Sequence, residues 1–189
     1  MHVESGKIVY FREQGPVNTS ETLRLAKERA DIHGIRKIIV ASHSGETGAK
    51  ASKVFKDYNP IVVTAVVGAR EPDVDALKAE NKDIIEKNGG KIVRVAHAFG
   101  TLGRAVNRKF GNIQVDEIIA NVLRLFSQGV KVGCEVACMA VDAGLISTRE
   151  EAIAIGGTRS GADTAIVVKP SNTHTFFDMR IREIICKPR

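Results

Sequence analysis

Tryptophan is absent, tyrosine occurs twice and proline five times among the 189 residues. So little proline, alongside 17 glycines without a period, excludes a collagen-like or proline-rich extended chain. Three cysteines, Cys134, Cys138 and Cys186, cannot all pair, and a disulfide framework is not expected. Cys134 and Cys138 are one helical turn apart, but no neighbouring Cys or His cluster completes a metal site; they read as small buried hydrophobes, and no metal is expected. The longest apolar stretches, such as 61–68, fall far short of the roughly 20 residues that cross a bilayer. The opening MHVESGKIVYF lacks a basic segment followed by a long apolar run and a cleavage site, so no secretory signal is expected and the cytoplasm is the expected location.

Hydrophobic residues make up 43% and charged residues 26%, the balance of a globular domain, and the length suits one domain over 1–189. The net charge is +6. Basic and acidic residues alternate along stretches such as RLAKERADIHGIRK, and only 5% of the chain is aromatic. A solvated mixed-charge surface is therefore expected rather than a nucleic-acid interface, with the positive excess favouring a small anionic ligand.

The apolar pattern switches repeatedly between strand and helix. KIVYF (7–11) reads as a strand. In the helix that follows, Asn18 stands at the cap and Glu21 three residues later, a variant of the capping box, with Leu23, Ala26 and Ala30 at helical spacing and Gly34 at the end. RKIIVAS is a strand too uniformly apolar to have a face in water. TGAKASKVFKDY then reads as a helix, PIVVTAVVG as a strand, DVDALKAENKDIIEKNGG as a helix with Val74, Leu77, Ile84 and Ile85 on one side, and KIVRVAHA as a strand. VDEIIANVLRLFSQG and the largely apolar KVGCEVACMAVDAGL are two further helices, and EEAIAIGG, DTAIVVKP and RIREIICKP three further strands. The alternation predicts a three-layer α/β/α domain with a mostly parallel central sheet.

Ligands of such sheets gather beyond the carboxyl ends of the strands. There stands the loop Ser42-His43-Ser44-Gly45-Glu46-Thr47-Gly48. Its glycines let an anion approach main-chain N–H groups, its hydroxyls are donors, and the next helix turns its positive end to the same place. The same residue types also make an unliganded strand-to-helix turn, since they satisfy free helix N–H groups. The pattern is neither a P-loop nor a Rossmann fingerprint.

The stretch KIIVASHSGETGAKASKVFKDYNPIVVTAV resembles the C-terminal domain of pyruvate kinase: a strand, a Ser-Gly-x-Thr turn, a helix and a second strand ending in Thr. In some pyruvate kinases that turn holds a phosphate of a sugar bisphosphate effector. The resemblance implies such a role for Ser44, Gly45 and Thr47, with Thr64 at the second strand's end. NTSETLRLAKERA, ASHSGETGAKAS, AHAFG, EIIANVLRLFSQGVKVGCEVACMAVDAGLI, AIGGTRSGADTAIVVKP and FFDMRIREIICKPR resemble a family of stand-alone proteins with this fold, found mainly in archaea and of unassigned role. That resemblance spans nearly the whole chain and implies bound flavin mononucleotide (FMN). The barrel domain that carries pyruvate kinase chemistry is not in this sequence, so that activity is not expected.

Further candidates surround the loop. His97 stands where it could meet the ligand's polar edge, and Phe99 with Gly100 where they could offer a flat wall to an isoalloxazine ring; His97 could equally be structural. In GGTRSGAD (156–163), Gly157, Thr158 and Ser160 could close over the ligand with Arg159 as charge partner, or simply build a hairpin turn. Asn18 and Thr19 read first as helix-capping residues, with a ligand contact in addition. Glu135 and Asp142 share a helix face with Cys138, as an acid pair or as an exposed edge. Two functions compete: an FMN-binding protein with its phosphate on 42–48, and a non-catalytic sensing module for a sugar phosphate or other phosphorylated metabolite. Self-association is left open.

Overall fold

The computed structural model describes residues 5–189. Seven strands form one sheet in the order β1-β7-β6-β5-β2-β3-β4. They are β1 (Val9–Phe11), β2 (Lys37–Ala41), β3 (Ile61–Val63), β4 (Lys91–Val93), β5 (Ala152–Gly156), β6 (Thr164–Lys169) and β7 (Arg180–Pro188). Only β6 runs against its neighbours, β5 and β7; all other pairs are parallel. The expected α/β/α architecture with a mostly parallel sheet is what the chain adopts.

The described residues form six α-helices: α1 (Thr19–His33), α2 (Glu46–Val54), α3 (Ala79–Lys87), α4 (Leu102–Phe110), α5 (Val115–Arg124) and α6 (Gln128–Asp142). The strand pleat separates two cores. Ile38 and Val40 of β2 pack with Leu23, Ala26 and Ala30 of α1 and with Phe55. Their neighbour Ile39 turns the other way, to Val130, Cys134 and Ala137 of α6. α6 is buried almost throughout, because it crosses the middle of the sheet. Gly129 permits that approach: a Cβ there would run into the Thr164 side chain. The three cysteines are buried, and desolvation pushes each thiol up to about 12.

Several elements are shorter than their apolar patterns. β3 ends at Val63 and β4 at Val93, so 64–68 and 94–98 leave the sheet as loops. The helix expected from residue 73 begins at Ala79; Val74 lies before it and is exposed. Asp73, at φ 63, lies in left-handed backbone that a helix cannot contain. α4, built from LGRAVNRKF, was not expected. Its apolar residues have little to pack on, and Leu102 and Phe110 are 77% and 66% exposed. α5 buries Ala120 and leans Ile119 and Leu123 on the core, but Ile118, Val122 and, past its end, Phe126 face outward.

The capping expectation at α1 fails. Asn18 sits at the cap with helical backbone (φ −90, ψ −5) and makes no side-chain capping bond; its amide donates to the Glu13 carbonyl instead. Glu21 does not reach back either, because Arg24 holds it through two hydrogen bonds.

A candidate anion-binding cleft at the sheet's switch point

From β2 the chain proceeds outward through β3 to β4, whereas β5 is laid on the other side of β2 and continues outward to β6. The loops after β2 and β5 therefore diverge, and a crevice opens between them at the strands' carboxyl ends. It is a cavity of about 410 Å³ lined from three loops, 42–47, 63–65 and 157–161, and by Arg70, His97 and the α6 residues Gln128, Val132 and Glu135.

The sequence-predicted residues divide in two. Ser42, His43, Ser44, Glu46, Thr47, Thr64, His97 and Gly157 line this cavity. Gly45, Gly48, Phe99, Gly100, Thr158, Asn18 and Thr19 do not, and each has a different task. Gly45 takes φ +85, and a Cβ on it would lie 2.6 Å from Leu77 and 2.7 Å from Asn81. It faces α3, not the cavity. Gly48 faces Val62 of the sheet. Phe99 is 4% exposed, set edge-to-face on Phe176 with ring centroids 5.2 Å apart; it forms core, not a wall for a ring. Thr19 accepts the Ala162 N–H, and the Thr158 N–H donates to Asp163; both brace the 157–163 loop. Gly100 lines the neighbouring cavity described below.

At the cradle, the Ser42 hydroxyl accepts the Gly48 N–H at 2.9 Å, satisfying one free donor of α2. The Ser44 carbonyl accepts from the Lys78 N–H and the Asn81 amide, pinning the loop to α3. Among the described residues the N–H groups of Glu46 and Thr47 and the hydroxyls of Ser44 and Thr47 have no hydrogen-bond partner. The Glu46 carboxylate is drawn to Lys50 at 2.9 Å, which offsets its charge. The helix N-terminus, free donors and a concave space are thus together, the arrangement an anionic oxygen needs.

The floor is ionic. Lys131 Nζ meets Glu135 Oε2 at 2.5 Å, with both side chains about 5% exposed. The other carboxylate oxygen accepts the Phe99 N–H at 3.1 Å and lies 3.9 Å from His97 Nδ1. Burial alone would raise the Glu135 pKa, but His97 and Lys131 hold it below the ordinary carboxylate range. Burial lowers Lys131 against the pull of Glu135, helped by Arg124 and Arg104. His43 is also lowered, first by burial and then by its neighbours Arg70 and His97. Glu135 and Asp142 are no acid pair: Asp142 receives Asn172 and Thr173 at the start of a 3-10 turn (Thr173–Asp178).

Asp163 escaped the sequence reading. It is fully buried and accepts from the Gly15 N–H, the Thr158 N–H and the Thr164 hydroxyl, so it fixes the loop that forms one cavity wall. An acidic residue directly before an apolar strand was the available signal.

Over residues 20–168 the sequence matches the family described as pyruvate kinase, alpha/beta domain. The chain belongs to that family. Among solved structures, it is similar to a pyruvate kinase from Cryptosporidium parvum at 14% identity and TM-score 0.35, over 79% of this chain and 22% of that one. A Cryptosporidium parvum pyruvate kinase in complex with ADP matches at 16% identity and TM-score 0.34, over the same shares. The chain thus spans about a fifth of the length of these pyruvate kinases. No described helix is long and apolar enough to cross a membrane.

Proposed function

We propose that this chain binds flavin mononucleotide, with the phosphate on the 42–48 loop, as an archaeal-type cytoplasmic member of the pyruvate kinase alpha/beta-domain family. The observation that carries the reading is the cluster of unpartnered donors, the N–H groups of Glu46 and Thr47 with the hydroxyls of Ser44 and Thr47, opening on a cavity of about 410 Å³. That volume falls within the range of small-ligand and cofactor pockets. Arg159 and Arg70 border the same space and supply charge for the phosphate. For the ring, the residues present fit less closely: Phe99 is turned into the core, so ring contacts fall to His97, Val132 and Ala65. Bound flavin supplies redox chemistry; no reaction is assigned to the chain's own residues. The test is titration of the purified protein with FMN, followed by flavin fluorescence and calorimetry. Binding at micromolar concentration is expected, and no binding there would overturn the reading.

The burial of Phe99 favours a second reading, a sensing module for a sugar phosphate or other phosphorylated metabolite, since such a ligand needs no aromatic wall. A thermal-shift screen separates the two: at 100 times its dissociation constant the true ligand adds roughly 2.7 kcal/mol. A melting point raised only by flavins excludes the sensor.

A further inference from the structure

The cradle cavity does not end at His97. A second cavity, of about 490 Å³, adjoins it and shares Arg70, His97, Gln128, Val132 and Glu135 with it. Its outer wall is new: Arg104 and Arg108 of α4, one turn apart, and Arg124 at the end of α5. Lys131 completes it from α6.

Elsewhere four arginines pair with acids, whereas Arg12, Arg36, Arg149, Arg180 and Arg189 make no ion pair among the described residues. Arg24 meets Glu21 and Glu28, Arg29 meets Glu183, Arg94 meets Asp75 and Arg182 meets Glu151. Arg70, Arg104, Arg108, Arg124 and Arg159 likewise make no ion pair among the described residues, and these five are gathered on the walls of the two cavities. Arg124 is held only by the neutral Asn121 and Gln128 side chains. The carboxylate in the second cavity, Glu135, is already bonded to Lys131. Guanidinium groups left together without counter-charges repel one another, and a planar multi-donor cluster of this kind matches phosphoryl oxygens.

We infer that the second cavity is a phosphoryl-binding subsite, so that the cleft takes a ligand carrying phosphoryl groups at more than one point, of the class of nucleoside polyphosphates and pyrophosphate-linked dinucleotides. The extension of the ligand beyond a mononucleotide rests on the cradle reading above; the arginine subsite itself does not. The two cavities are of similar size, and each alone is large enough for a nucleotide half.

The experiment is calorimetric titration with inorganic pyrophosphate at low salt, using the intact chain, Arg104→Gln/Arg108→Gln, and Thr47→Val. Both arginines are exposed, so the double variant should keep the parent's melting temperature, which is measured first. Pyrophosphate affinity at the arginine subsite is expected to fall at least tenfold in the double variant and to persist in Thr47→Val. Unchanged binding in the double variant, or none by the intact chain at millimolar concentration, overturns the subsite. If only Thr47→Val loses binding, the cradle stands and the subsite falls; loss in the double variant alone supports the subsite, and the cradle is then tested by FMN titration of the intact chain and Thr47→Val. In a second arm, flavin adenine dinucleotide is expected to bind more tightly than FMN to the intact chain, with the preference lost in the double variant. Equal affinities overturn the extended ligand.

Discussion

Ser42 Oγ accepts the N–H of Gly48 at 2.9 Å. The residue after β2 thereby caps the third N–H of α2, and the two N–H groups before it, of the cavity-lining Glu46 and Thr47, are left without a partner among the described residues. The loop thus serves both alternatives that its composition left open: one hydroxyl closes the turn while other donors remain for an anion.

That division predicts different outcomes for Ser42 and Thr47. Thr47→Val keeps the shape and removes a hydroxyl with no partner in the chain, so stability should change little. Affinity for a phosphate-bearing ligand should drop by roughly ten- to a hundredfold, since a hydrogen bond to a charged group contributes roughly 1.5–3 kcal/mol. Ser42→Ala should lower stability by about 1 kcal/mol through loss of the cap. Urea titrations beside ligand titrations check both; loss of stability in Thr47→Val would show its hydroxyl to be structural.

Gly45 should respond as a fold position. A side chain there meets left-handed backbone and the Leu77 and Asn81 side chains at 2.6 and 2.7 Å. Gly45→Val should cost about 3 kcal/mol or more by combining backbone strain with a clash. The expected readout is a lower melting temperature without ligand. A variant as stable as the parent would show that α3 yields to the new side chain.

The Lys131–Glu135 pair predicts an asymmetric double-mutant cycle. Glu135→Gln leaves the buried ammonium without its counter-charge and should cost about 3–5 kcal/mol. Lys131→Met with Glu135→Gln should recover much of that loss. The pH dependence follows in sign: the folded-state pKa of Glu135 is depressed, so its stabilisation is present above the unfolded carboxylate value and is lost as pH falls through the lower folded value. The acid limb of the stability profile should be shallower in Glu135→Gln. Identical acid limbs would mean that the carboxylate is not held by its partners.

Asp163→Ala should remove the acceptor of three donors, the buried Gly15 N–H and Thr164 hydroxyl and the part-buried Thr158 N–H. About 3 kcal/mol or more of destabilisation is expected, with weaker binding of any ligand that touches 157–161. Hydrogen exchange should accelerate at Gly15 and Thr158; unaltered exchange at both would place the loop's anchor elsewhere.

The sequence by itself determined the layers. Runs such as Ile38, Ile39 and Val40 allow burial on both faces, and Leu23, Ala26 and Ala30 allow one stripe on a helix, so hydrophobic period alone was enough to call for a covered parallel sheet. It also placed the 42–48 loop at the carboxyl ends, because a strand followed closely by a helix leaves little choice. Only the tertiary structure decided which way single residues turned. Phe99, Gly45 and Thr158 have side chains or backbone suited to a ligand, yet contacts distant in the chain, with Phe176, Asn81 and Asp163, drew each away. Arg70, Arg104, Arg108 and Arg124 show no pattern along the chain; α4 and α5, in the segment between β4 and β5, carry three of them to the cleft, and the loop after β3 brings Arg70 to the same place. Periodicity records a residue's relation to its near neighbours, whereas a binding site is set by distances between segments that only packing fixes.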